Sequence, residues 1–180
     1  MSFNLTIHDY PHYTYKDYEI WEGDWELIKG IPYAMAPAPV WQHQSSGGKF
    51  VKAFLDALDK QTSSCKCEVL YESDWIVSDD TVVCPDVMIV CEPISGNFVT
   101  APPALILEIL SPSSIMKDRN TKFKLYQACG VHYYLMADIG KKKVEVFHLK
   151  DNLYQEVATP GKFQLTKDCT INVPVHDILS

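Results

Sequence analysis

The spacing of hydrophobic and polar positions changes several times along the chain. Residues 25–35, WELIKGIPYAM, alternate as a strand does, with a turn at Lys29-Gly30. From about Gln44 to Lys60 the spacing becomes helical. Phe50, Val51, Phe54, Leu55 and Leu58 form an apolar stripe, while Lys49, Lys52, Asp56 and Asp59 face water. The Gly47-Gly48 pair weakens the start of that helix. Strand-like runs follow at 67–73, 74–78, 85–91 and 104–110, and Ser111-Pro112-Ser113 closes the last of them. A second helix is predicted over 118–129, with Asp118 as its cap and Gly130 as a left-handed stop. Residues 132–138 and 143–149 then read as a hairpin around Ile139-Gly140-Lys141, with 154–159 as a further partner.

Near the N-terminus, Thr14 can cap a short helix that shows Tyr15, Tyr18 and Trp21 on one face. Gly23 ends it, and Pro37 and Pro39 mark a later loop. The mixed order of elements predicts an α/β (α+β) fold built on one central sheet. PDVMIVC and ALILEIL are apolar on both faces, which places them at the sheet centre under the two helices. The length of 180 residues suits one domain over 1–180, with 1–12 as a loosely held arm.

Composition narrows the function classes. Hydrophobic residues make up 47% and charged residues 22%, as in an ordinary globular protein. No apolar run reaches the length of a membrane helix, and no signal peptide is visible, so the cytoplasm and no membrane partner are expected. The net charge of −7 argues against tight, non-specific binding to nucleic acid, although a local basic strip can coexist with an acidic whole. The six cysteines form no CxxC pair, so a zinc ribbon is not supported, and they read as reduced core thiols.

Two carboxylates break the apolar pattern. Glu108 sits in ALILEIL, where the other six residues are apolar, and it shares a strand face with Ile106 and Leu110. Burying an unpaired carboxylate costs several kcal/mol, so Glu108 must meet a cation, a base or a proton. Asp86 opens the second apolar strand just after Pro85. Two such groups on neighbouring central strands would repel each other unless a hard divalent ion lay between them; capping of backbone amides is the plain alternative for Asp86. The third anomaly is Lys122, which falls on one helix face with Leu125, Tyr126 and Cys129; there it either serves the carboxylates or snorkels to water. Lys124 points elsewhere.

The pieces WELIKGIPYAM, AP with the following His43, PDVMIVC, LILEILSPSS, DRNTK with Tyr126, GVHYYLMAD and VEVFHL run in order through residues 25–149. Together they resemble the Uma-two-type restriction endonuclease family of the PD-(D/E)xK nuclease-like superfamily. The resemblance implies a restriction-endonuclease-like core, a central mixed β-sheet flanked by helices. It implies Asp86 and Glu108 as metal ligands with the Ile109 carbonyl as their companion, and Lys122 as a lysine migrated from the position that Leu110 occupies. Glu26 and His43 become additional candidates; for Glu26 the plain alternative is a polar residue on the outer face of an edge strand. The implied activity is Mg²⁺- or Mn²⁺-dependent endonucleolytic hydrolysis of nucleic acid, DNA in particular. A homodimer is expected separately, from the small size and from the aromatic residues near the ends, such as Tyr13, Tyr15, Tyr18 and Trp21. An inactive nuclease fold kept for binding or assembly is the rival reading, and Leu110 and the acidic charge favour it.

Overall fold

The computed structural model describes residues 11–35, 40–61, 65–158 and 161–180. The predicted N-terminal arm up to residue 10, the loop prolines Pro37 and Pro39, and the end of the 154–159 segment lie outside them. After helix α1 (Tyr15–Tyr18), strands β1 (Trp25–Ile28) and β2 (Ile31–Ala34) form a hairpin. Lys29 and Gly30 have φ of 52° and 73°, the mirror-image turn whose twist suits a two-residue hairpin. Helix α2 (Trp41–Leu58) starts three residues earlier than its stripe suggests (44 − 41). Then come β3 (Glu68–Tyr71), β4 (Trp75–Ser78), β5 (Thr81–Val83), β6 (Val87–Val90) and β7 (Leu105–Ile109).

The expected second helix is two pieces, a π turn (Lys117–Lys122) running into α3 (Phe123–Ala128). Asp118 does not cap it. It lies inside the π turn, whose preceding residue is Met116. Gly130, with φ of 80°, does stop the helix as a left-handed residue. The chain ends with β8 (Tyr133–Asp138), β9 (Lys143–Lys150), β10 (Leu153–Glu156), β11 (Lys162–Thr166), β12 (Cys169–Asn172) and a short 3₁₀ turn.

Among the described residues the strands form three sheets rather than one. The largest has the order β10-β9-β8-β7-β6-β3 and is mixed, since β7 and β8 are parallel and every other pair is antiparallel. A four-stranded sheet, β2-β1-β5-β4, and the hairpin β11-β12 complete the set. β6 and β7 occupy the interior of the large sheet, and all their residues are buried, as their two-sided apolarity requires. One face carries Val87, Ile89, Leu105 and Leu107 against Phe50, Phe54 and Ala57 of α2. The C-terminal hairpin closes the same core with Phe163, Leu165 and Ile171. The other face carries Met88, Val90, Ile106 and Met136 against Tyr126 of α3 and against Ile28, Trp75 and Val83 of the smaller sheet.

The cysteines depart from the expected dispersed thiols. Cys65 is joined to Cys169 and Cys67 to Cys91, while Cys84 and Cys129 are free.

The glycine pair in α2 has a division of labour. Gly47 is buried, and a Cβ there would come within 2.7 Å of the Tyr71 ring; Gly48 faces open space. Gly47→Ala should therefore lose about 1–3 kcal/mol of stability by overpacking, despite alanine's better helix propensity. Gly48→Ala should gain up to about 1 kcal/mol. Denaturant unfolding of both variants checks this, and equal gains would show that Tyr71 yields freely.

Candidate active site

The register of β6 and β7 assembles the site. Val87 lies opposite Leu107 in an antiparallel ladder, so Asp86 and Glu108 come next across the strands. Opposed residues project to the same face, which here is the one that carries Ile106 and Met88. Asp86 is fixed by the Ile109 backbone N–H, which donates to its Oδ2 at 2.6 Å. Glu108 is only 3% exposed. Its Oε1 accepts from Lys122 Nζ at 2.8 Å and from the Tyr126 hydroxyl at 2.7 Å.

Lys122 does not snorkel. It is 3% exposed, and its ammonium also lies 2.7 Å from Glu26 Oε1 and 3.9 Å from Asp118 Oδ1. Glu26 is fully buried on β1, which has β2 on one side and β5 on the other. The edge-strand reading of Glu26 is thereby corrected: its carboxylate points into the site, where it also pairs with Lys117 and accepts from the Cys84 N–H at 3.0 Å. The π turn explains how two lysines reach one glutamate. Its wider winding puts residues five apart on one side, so Lys117 and Lys122 converge on Glu26.

His43, on the first turn of α2, approaches from the other side. Its Nε2 is 3.4 Å from Asp86 Oδ2, and its Nδ1 is buried with no partner among the described residues. One ligand atom each of His43, Glu72 and Asp86 fits within a 4.8 Å group. Gln44 holds Glu72 from α2 at 2.9 Å and accepts from the Tyr71 hydroxyl at 2.6 Å. The site thus offers carboxylate oxygens from Asp86, Glu108 and Glu72, with the Ile109 carbonyl and the His43 imidazole beside them. Oxygen donors of this kind fit a hard divalent cation.

Burial and neighbouring charges compete over these groups. Burial pushes the Glu108 carboxyl well above the usual range; Lys122 opposes this, and Asp118, Asp86 and Glu26 reinforce it. Asp118 is likewise raised, chiefly by burial. Burial would lower the Lys122 ammonium, but Glu108, Glu26 and Asp118 hold it well above the ordinary lysine range. Burial also acts to raise Glu26, yet Lys122 and Lys117 outweigh it and keep that carboxylate below its usual range. The hydrogen bond to Asp86 raises His43 against the effect of its burial. These are the competing influences expected where one charge must be kept and another held ready to be given up.

Asp86, Glu108, Lys122, Glu26 and His43 are the residues the sequence singles out, and the structure brings all five around the ends of β6 and β7. The sequence does not single out Lys117, Asp118 as a buried partner, Tyr126 as a donor to Glu108, or Glu72. Lys117 and Lys122 bracket KDRNTK, and that five-residue spacing was the available signal.

Comparison with known proteins places the chain. The sequence model of the Uma2 family, "Putative restriction endonuclease", matches residues 15–172. An uncharacterized protein, slr1290, from a Synechocystis strain is 35% identical over 81 residues, which is 43% of this chain and 42% of that protein. The chain thus spans less than half of that relative's length. Among solved structures, a nuclease described as putative and as belonging to DUF820, from Anabaena variabilis, superposes with a TM-score of 0.73. It is 14% identical, with 93% of this chain and 99% of the other covered. That likeness establishes a restriction-endonuclease-like fold.

Glu108 generates a pH prediction. A carboxyl whose pKa is raised on folding binds its proton more tightly in the folded state. Its stabilisation is complete below the ordinary glutamate range and is lost as pH rises through the raised value. Asp118 has the same sign. Glu26, with its lowered value, has the opposite sign, and its contribution is lost as pH falls through the acidic range. In EDTA the melting temperature should therefore fall from mildly acidic to alkaline pH, and Glu108→Gln should flatten that fall. Parallel wild-type and Glu108→Gln curves would contradict the assignment.

Proposed function

The chain belongs to the Uma2 restriction endonuclease family, and from that premise we propose that it is a metal-dependent endonuclease that hydrolyses phosphodiester bonds of nucleic acid, with DNA as substrate. The observation that carries the reading is the placement of Asp86 and Glu108 one step beyond the Val87–Leu107 pair of β6 and β7, with Lys122 bonded to Glu108 from the helix side. Asp86, Glu108 and the Ile109 carbonyl would hold Mg²⁺ or Mn²⁺, with Glu72 and His43 as flanking donors. When bound, such an ion supplies charge neutralisation at the phosphate and a water of lowered pKa.

The chain's own residues supply the rest. Glu108 Oε1 is committed to Lys122 and Tyr126, which fixes the carboxylate plane and leaves Oε2 for the ion. Lys122 stays an ammonium at neutral pH, so its role is to orient Glu108 and stabilise charge developing on the phosphate, rather than to act as a free base. Glu26 and Lys117 hold Lys122 in place from β1 and the π turn. His43 bonds Asp86 and is the group best placed to exchange a proton at its edge of the site. We further propose that the protein works in the cytoplasm as a homodimer. The cluster of Tyr13, Tyr18, Trp21 and Trp25, next to the 78% exposed Ile20, is the surface for it. A monomer mass by light scattering at micromolar concentration would remove the dimer.

One observation favours a second reading. Lys122 already bonds Glu108, and burial lets that carboxyl keep a proton, so the fold needs no metal ion there. A binding or assembly module without catalysis would look the same at this contact. Calorimetry and cleavage of labelled DNA and RNA separate the two. The nuclease reading predicts Mg²⁺ or Mn²⁺ binding that collapses in Asp86→Asn and Glu108→Gln. It also predicts cleavage that falls by about 100-fold or more in Lys122→Ala but hardly changes in Lys124→Ala. Because Lys122→Ala strands buried carboxylates, a stability loss of about 3–5 kcal/mol should accompany it. Wild-type protein that neither binds the ions nor cleaves any substrate in the panel would establish the module instead.

A further inference from the structure

Four cysteines from three distant parts of the chain meet at one place, away from the carboxylates. Cys65 and Cys67 immediately precede β3, Cys91 immediately follows β6, and Cys169 opens β12. The ladder of β3 and β6 pairs Glu68 with Val90, which sets Cys67 directly across from Cys91. Cys65 meets Cys169, and the two pairs touch, with Cys67 Sγ 3.8 Å from Cys169 Sγ. The sulfurs of Cys65, Cys67 and Cys169 all lie within 4.8 Å of one another, and Cys91 is joined to Cys67. Cys169 is fully buried and the other three are half-buried at the margin of the α2-side core.

We propose that, in its reduced form, this cluster is a structural zinc site with Cys65, Cys67, Cys91 and Cys169 as its four thiolate ligands. A zinc–sulfur bond of about 2.3 Å gives a tetrahedron with edges of about 3.8 Å, and the sulfur contact between the two pairs has that length. Among the described residues the close group is all sulfur, Cys65, Cys67 and Cys169, with Cys91 brought to it through Cys67; four thiolates would make a closed set, as structural zinc sites have and catalytic ones lack. The chemistry balances simply. A thiol reductant gives four electrons and four protons to the two disulfides, and is itself oxidised to disulfide. The four thiols then release four protons as they bind one Zn²⁺.

The place in the fold gives the site a purpose. β3 is an edge of the large sheet, and β11-β12 is a separate two-stranded hairpin. The cluster ties the hairpin to that edge. The absence of a CxxC pair hid it from the sequence, because the ligands are a CxC, a lone Cys91 and a lone Cys169 that only folding unites.

The test uses the full chain, purified under reducing conditions. Metal analysis should find one zinc per chain, and the content should persist in Asp86→Asn, which excludes the nuclease carboxylates as its seat. Replacement by Co²⁺ should give near-ultraviolet thiolate charge-transfer absorption and the strong visible bands of a tetrahedral ion. Cys91→Ser should lose the zinc, and Cys129→Ser should keep it. If Cys91→Ser does not fold, the cobalt spectrum of the wild type decides alone. Reduced protein that takes up no zinc, a cobalt spectrum without thiolate bands, or protein drawn from a reducing cell with all four cysteines already in disulfides would each overturn the proposal.

Discussion

The arrangement depends on an ammonium kept charged in the interior. Lys122 is 3% exposed and faces three carboxylates, those of Glu26, Glu108 and Asp118. None of these charges could remain in so dry a place alone, since an isolated buried ion costs several kcal/mol even after relaxation. Together with Lys117 they satisfy one another, and they come from three elements: Glu26 from β1, Glu108 from β7, and Lys117, Asp118 and Lys122 from the π turn. The network therefore joins the small sheet, the large sheet and the helical segment at one point. Removing a single member would leave its partners uncompensated, which is why stability and chemistry are linked here.

The same interaction explains the backbone irregularity at 117–122. An ordinary α-helix would bring Lys122 onto one side with Asp118 and turn Lys117 away. A π turn brings both lysines to Glu26, and such turns are rare and frequent at functional sites. Asp86 stands slightly apart, held by the Ile109 N–H and His43 instead of by a lysine. The two halves of the site thus differ in kind. Glu108 is neutralised from within the protein, whereas Asp86 meets a histidine and a backbone amide.

Much of this was legible in the chain, for a physical reason. Glu108 and Lys122 stood out because a charge in an apolar pattern must be paired, and the pairing was real. The strands carrying Asp86 and Glu108 were readable because runs apolar on both faces belong in a sheet interior. Glu26 was ambiguous because strand alternation does not say which face another sheet will cover, and β5 and β2 enclose its strand. The π turn was hidden because helical periodicity presumes regular winding. β11 and β12 were overlooked although Phe163, Leu165, Cys169 and Ile171 alternate into the core. The cysteine cluster left no local trace, since its members are adjacent only after folding.

The central claim is that Asp86 and Glu108 hold one divalent ion between β6 and β7. Crystals soaked in Mn²⁺ and measured for anomalous scattering test it directly. The account predicts a peak between the two carboxylates, with Lys122 still bonded to Glu108 Oε1. A map without a peak at saturating Mn²⁺, or an ion held by His43, Glu72 and Asp86 with Glu108 uninvolved, would contradict it.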